Sequence, residues 1–250
     1  MSRTFLITGA ASGIGAATAR RLAGPDIRFL LHTRKSAEGL EGVANDLKDA
    51  GARVETALAD LSEPGAAAGL IGRAVDVFGG LDGVVANAGF AQAGHFGEVD
   101  RAALDASMTA MTGAFFDLAT AAMEPLKQSG AGRIVAVSSF VAHVFDGDRP
   151  FAVTAAAKAG MEALVKALAR QLAADGVTVN AVAPGYTQKD ATGHSALNPE
   201  TWERAAKRTP TGRLAQPDDV AALIEFLMSA QARQITGQVI HVDGGLTLGK

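Results

Sequence analysis

Residues 8–15 read TGAASGIG and lie between a short apolar run, TFLIT (4–8), and an amphipathic stretch, GIGAATARRLAG (13–24). An apolar run of that length reads as a buried strand, and the stretch after it as a helix stopped at Gly24-Pro25. Gly9, Gly13 and Gly15 permit a tight turn, close approach of backbone to a diphosphate, and close helix–strand packing. The helix start then offers unpaired N–H groups and partial positive charge to phosphate. Three glycines alone only make a turn. Between a first strand and a first helix they predict a dinucleotide-binding turn.

Outward from this turn the alternation continues. Strands are expected at 27–33, 53–59, 81–87, 132–139 and 177–183, with a seventh in QVIHVDGG near the end. Helices are expected at 37–51, 63–78, 152–175 and 217–229, with two helical segments inside 98–129 and no strong period over 186–212. The strands are rich in Val, Ile and Leu with little polar alternation, as in a parallel sheet covered on both faces. Strand–helix alternation implies right-handed crossovers. The expected fold is α/β: one Rossmann-type doubly wound domain over 1–250, with functional residues at the carboxyl ends of the strands.

Composition narrows the partners. A net charge of -3, with no Lys/Arg cluster, argues against nucleic acid. No apolar run approaches the ~18–20 residues that span a bilayer. The chain has no cysteine, which excludes disulfides, thiolate metal sites and cysteine nucleophiles and fits a reducing cytosol. His32, His95, His194 and His241 show no metal-ligand spacing. The expectation is a cytoplasmic protein with a small-molecule substrate and no metal.

The strand ends carry further candidates. After the second strand come His32, Thr33, Arg34 and Lys35, with no carboxylate to hold an adenosine 2′-OH. Arg34 can instead grip a 2′-phosphate through its forked donors, which points to NADP(H), with NAD(H) the alternative. Asp60, after the third strand, can accept from an adenine amino group or cap the next helix, where Ser62 competes. Asn87 can tie neighbouring strand ends together, and Ala88 and Gly89 leave room for a ribose.

With these motifs in order, the chain resembles a short-chain dehydrogenase/reductase over nearly its whole length. The resemblance rests on TGAASGIG, ADL (59–61), NAG (87–89), VSS (137–139), AAAKAG (155–160), VNAVAPG (179–185), GRLAQPDDVA (212–221) and TGQVIHVDGG (236–245). It implies a seven-stranded sheet, NAD(P) binding, hydride transfer between nicotinamide and an alcohol or carbonyl, and a homotetramer. It implies a cofactor site formed by Gly9, Ser12, Gly13, Ile14, Gly15, Thr33, Arg34, Asp60, Leu61, Asn87, Ala88, Gly89, Lys158, Pro184, Gly185 and Thr187. Residues 187–212, which include Trp202, match the variable substrate lid.

Members of that family usually carry a catalytic Asn, Ser, Tyr and Lys. Ser139 matches the Ser, with Ser138 its alternative, and Lys158 matches the Lys. Four residues before that Lys, where the Tyr is expected, stands Thr154, and Ala110 stands at the Asn position. Realignment rescues neither. The chain's one tyrosine is Tyr186, and no Asn lies between Asn87 and Asn180. A phenol, with pKa near ~10, can be tuned toward neutrality, whereas an aliphatic hydroxyl is far more basic when ionised. Thr154 therefore hydrogen-bonds but is a poor general acid. Tyr186, after Pro184-Gly185, and His143, four residues beyond Ser139, are the alternative acids. Two further readings stay open: a cofactor-binding pseudoenzyme acting as scaffold or sensor, and a structural subunit paired with an active homologue.

Overall fold

Seven apolar runs become seven strands in the computed structural model, which describes residues 2–145, 147, 150–188 and 199–248. They are β1 (Arg3–Thr8), β2 (Ile27–Thr33), β3 (Arg53–Leu58), β4 (Gly83–Ala86), β5 (Arg133–Val137), β6 (Thr178–Pro184) and β7 (Val239–Val242). All pair in parallel, in the order β3-β2-β1-β4-β5-β6-β7. The order reverses between β1 and β4, so the connections leaving their carboxyl ends run to opposite faces of the sheet and leave a crevice where ligands of such sheets bind.

The helices are α1 (Gly13–Leu22), α2 (Ala37–Asp49), α3 (Ala66–Phe78), α4 (Arg101–Ser107), α5 (Ala114–Ser129), α6 (Ala152–Leu172), α7 (Pro199–Arg208) and α8 (Pro217–Met228). Successive strand residues point to opposite faces, so each strand feeds two cores. Leu6, Leu30, Val84 and Ile134 pack with Ile71, Phe115 and Met161 on one face. Phe5, Ile7, Phe29, Leu31 and Val135 pack with Leu40, Val43 and Ile224 on the other. Burial on both faces is why the strands show no polar alternation.

Three places differ from the sequence reading. The expected helical pair in 98–129 is one continuous run in which α4 and α5 are joined by a π-helical turn, Met108–Gly113. Within 186–212, Pro199–Arg208 is a helix although its sequence, PETWERAAKR, lacks a broad apolar stripe. Trp202, Ala205 and Ala206 do fall at helical spacing, but they are few among polar residues, so the stretch is a weak signal of a buried element. Residues 189–198 of the expected lid, and His194 with them, lie outside the described residues. Asp60 does not cap α3, whose N-cap is Gly65.

The end of the sheet is fixed by Asp243. Its carboxylate accepts from Gly245 N (2.9 Å), Thr247 N (2.8 Å) and Thr247 Oγ1 (2.7 Å). Burial works to raise this carboxyl, and the bonds from Thr247 and Gly245 outweigh it, so it titrates below the ordinary carboxylate range. A depressed folded-state pKa stabilises above the unfolded pKa and is lost as pH falls through the folded one. Asp243→Ala is expected to cost about 1–3 kcal/mol near neutral pH, with the deficit shrinking in acid below the carboxylate range. Urea denaturation across pH reads this; a pH-independent deficit would contradict the ionic origin.

Candidate functional site

The glycine turn is held open by its neighbours. Gly9 has φ +65°, the left-handed region, and a Cβ there would lie 2.8 Å from Asn87 Nδ2 and 3.0 Å from Ala88 Cα. A Cβ on Gly15 would lie 2.6 Å from the same amide nitrogen and 2.9 Å from the Gly9 carbonyl carbon. Asn87 is pinned: its Nδ2 donates to Thr8 O and Gly9 O, both at 3.0 Å. Thr8 Oγ1 accepts from Asn87 N (3.0 Å) and Ala88 N (3.1 Å) while donating to Val85 O (3.3 Å). One hydroxyl and one amide thus lock the ends of β1 and β4 together. Ser12 forms the extended N-cap of α1, and its side chain makes no capping bond. Ile14 is half-buried against the α1–α2 side of the core.

At the end of β2, Thr33 is buried, and just beyond it Arg34 reaches Asp60 Oδ2 at 3.7 Å with 58% of its side chain exposed. The Asp60 carboxyl is held below its ordinary range by the Ser62 N–H (3.0 Å), helped by the Ser62 hydroxyl and by the charges of Arg34 and Lys35. Leu61 is buried in the core. His32 is buried, donates from Nε2 to Ala59 O (2.9 Å), and is driven toward its neutral form by desolvation. Its Nδ1 has no hydrogen-bond partner among the described residues.

Lys158 is 7% exposed and donates from Nζ to Val137 O at 2.5 Å, the last carbonyl of β5. A Cβ on Gly89 would sit 3.4 Å from that Nζ and from the Met111 Cγ and Sδ atoms. The ammonium therefore lies between the ends of β4 and β5, against the π turn that carries Ala110. Such turns recur at functional positions. Thr112, in the same turn, donates to Ala157 O (2.8 Å) and fastens it to α6 beside Lys158. Burial lowers Lys158 to about 8, and the charge of Glu162 partly offsets this.

Thr154 is 2% exposed, and its Oγ1 accepts from Gln92 N (2.9 Å) and leans on Gln92 O (3.4 Å). Its hydroxyl is thus committed to the backbone that follows β4. Among the described residues, Ser139 Oγ makes one bond, a long one accepted from Val141 N (3.4 Å), which does not use its own proton. His143 Nε2 pairs with Glu162 Oε1 at 3.0 Å, and its ring meets His241 edge-on at 4.4 Å between centroids. Ser138 donates to the same Glu162 oxygen. Glu162 was absent from the sequence reading. Its spacing of four residues from Lys158 was the available signal, but nothing local distinguishes it from a solvated helix carboxylate.

A cavity of about 620 Å³ opens beside this constellation, lined among others by Phe96, Phe140, Phe151, Ala155 and Tyr186. Phe140 neighbours Ser139, and Ala155 neighbours Thr154. The lining passes from Ala142 to Val144 without His143. Tyr186 packs its ring on Phe140 at 4.6 Å. The chain around it is fixed by Ala215 N donating to Tyr186 O (2.9 Å) and Gln188 N to Ala215 O (2.8 Å). Pro184 ends β6, Gly185 N donates to Val242 O (3.0 Å), and Thr187 Oγ1 donates to Gly185 O (3.1 Å). A Cβ on Gly185 would meet Asp243 Cα at 2.8 Å, so only glycine lets the β6 end lie this close to the β7 turn. Among the described residues, no group of three metal-ligating side chains assembles, and no helix is long and apolar enough to cross a membrane.

A family model described as enoyl-(acyl carrier protein) reductase matches residues 9–247. The chain is 39% identical to a cis-4-hydroxycyclohexanecarboxylate dehydrogenase of Sinomonas cyclohexanicum, over 98% of this chain and 96% of that protein. It is 35% identical to a 3-oxoacyl-[acyl-carrier-protein] reductase of Staphylococcus aureus, over 98% of each. A solved double mutant of a Serratia marcescens short-chain dehydrogenase/reductase superposes with TM-score 0.89 at 29% identity, covering 98% of each chain.

Proposed function

Because the chain belongs to the short-chain dehydrogenase/reductase family, we propose that this oxidoreductase uses NADP(H) to interconvert a carbonyl compound and its alcohol, with a proton donor other than residue 154. One observation carries the reading: the glycine turn, Gly89 and the Lys158 ammonium converge beyond the carboxyl ends of β1, β4 and β5. The turn suits a diphosphate, because Gly9 and Gly15 leave backbone where any Cβ would collide. In this reading Gly9, Ser12, Gly13, Ile14 and Gly15 hold the diphosphate. Thr33 and Arg34 take the 2′-phosphate, and Asp60 with Leu61 flanks the adenine. Asn87, Ala88, Gly89 and Lys158 hold the nicotinamide ribose, and Pro184, Gly185 and Thr187 the nicotinamide side. When bound, the nicotinamide supplies or takes the hydride.

The chain's own groups do the rest. Ser139 has a hydroxyl proton with which to polarise a carbonyl oxygen. Thr154 spends its hydroxyl on Gln92, and His143 is turned to Glu162. Tyr186 lines the cavity and carries the chain's one phenol, so it is assigned the proton transfer. The aromatic lining suits a substrate with an apolar ring or chain. The described part of 187–212, with α7, forms the substrate-side lid of this reading. A homotetramer belongs to it too, read by light scattering.

Purified protein is expected to oxidise NADPH with an apolar ketone or aldehyde from a broad panel. Silence across the panel despite tight NADPH binding would sink this reading. Arg34→Ala is expected to weaken NADPH about 10-fold while leaving NADH within twofold, since only the former carries the 2′-phosphate. Equal losses for both nucleotides would remove Arg34 from that role.

A second reading, a nucleotide-binding pseudoenzyme, is favoured by one observation: both Thr154 Oγ1 and Lys158 Nζ are bonded to backbone. It expects a silent wild type and weak turnover in Thr154→Tyr. Native turnover that is lost in Ser139→Ala would end it.

A further inference from the structure

Among the described residues only two carboxylates are buried, Asp243 and Glu162. Asp243 closes a turn, but Glu162 lies at the site and has no part in the reading above. A buried carboxylate is costly unless hydrogen-bonded. Glu162, 6% exposed, is bonded by the Ser138 hydroxyl and by His143 Nε2. Both donors lie on the segment that carries Ser139, and Glu162 lies one helical turn beyond Lys158 on the same face of α6.

Among the described residues, no other negative charge acts on the Lys158 ammonium. The β4 end presents Gly89, the π turn presents Met111, and β5 presents the Val137 carbonyl. On α6, residue 154 offers a hydroxyl already bonded to Gln92. From the loop after β5, His143 faces Glu162, and from β7, His241 meets the His143 ring and acts through charge on Asp243, which spends its oxygens on Gly245 and Thr247. Burial disfavours the charged form of an amine, and a nearby carboxylate favours it.

We propose that Glu162 is a positioning residue: anchored by Ser138 and His143, its carboxylate keeps Lys158 in the charged form and ties α6 to the strand end that carries Ser139. In a chain without a phenol at 154, Glu162 is the buried carboxylate one helical turn from that lysine, acting on it through charge and not through a direct bond. The functional consequence rests on the reading of Lys158 as a nucleotide ligand; the charge coupling does not.

The test uses the whole protein without nucleotide, with lysine labelled by ¹⁵N, and follows the Lys158 Nζ resonance against pH. Glu162→Gln keeps shape and removes charge. Its Lys158 midpoint is expected to fall by at least about one pH unit, a tenfold change in proton affinity. A midpoint equal to that of the wild type overturns the proposal, because a merely structural glutamate would leave it unmoved. Should Gln at 162 prevent folding, Glu162→Asp withdraws the charge by one methylene; its midpoint is expected below that of the wild type, and equality again overturns the proposal. In a second measurement, NADPH affinity should decline as pH rises through the Lys158 midpoint, with the decline moved to lower pH in Glu162→Gln. Failure to bind NADPH at any pH, with the resonance still shifted, would sink the nucleotide reading and leave the coupling standing.

Discussion

Gly15→Val is expected to weaken NADPH binding by at least about 100-fold and to lower stability by about 1–3 kcal/mol. The new Cβ alone would lie 2.6 Å from Asn87 Nδ2 and 2.9 Å from the Gly9 carbonyl carbon. Neither neighbour can yield. Asn87 is held by two bonds of 3.0 Å to Thr8 O and Gly9 O, and the Thr8 hydroxyl is held by the backbone of Asn87 and Ala88. Relief therefore requires the turn to move away from the start of α1, where backbone N–H groups are to meet phosphate. Fluorescence titration with NADPH, beside urea denaturation, separates the two effects. Affinity within threefold of the wild type would show that the diphosphate does not lie on this turn.

Tyr186→Phe is expected to lower kcat/KM by about 10²–10⁴ while NADPH affinity stays within twofold. The substitution keeps the ring that packs on Phe140 at 4.6 Å and the backbone pairing with Ala215, and it removes only the hydroxyl. A proton donor is needed at the transition state and not for binding of the nucleotide, so the loss falls on the chemical step. Stopped-flow turnover of the best ketone in the panel measures it. A rate unchanged from wild type would remove Tyr186 as donor and return attention to His143 or to a water beside Ser139.

The glycine turn and the Val/Ile/Leu runs were legible because they answer to local rules. A strand buried on both faces must be apolar throughout, and the turn after β1 needs residues without a Cβ. The polar helix α7 was not legible, because its few apolar residues, Trp202, Ala205 and Ala206, though at helical spacing, stand in a stretch too polar to mark a buried element. Glu162 was missed for a different reason. Its partners Ser138 and His143 stand 24 and 19 residues away, joined only when β5 and α6 pack.

By itself the sequence determined the doubly wound parallel sheet, the place of the glycine turn, and the presence of Thr and Ala at 154 and 110. These follow from residue identity and from periods of two and 3.6, which act over a few residues. The tertiary structure alone decided what those residues do with their polar atoms. It turned the Thr154 hydroxyl onto Gln92, buried Lys158 between Gly89 and Val137, and brought Glu162 to Ser138 and His143. The physical reason is that hydrogen bonds and charge coupling depend on distances between elements far apart in the chain, fixed only when the strand ends meet in one crevice.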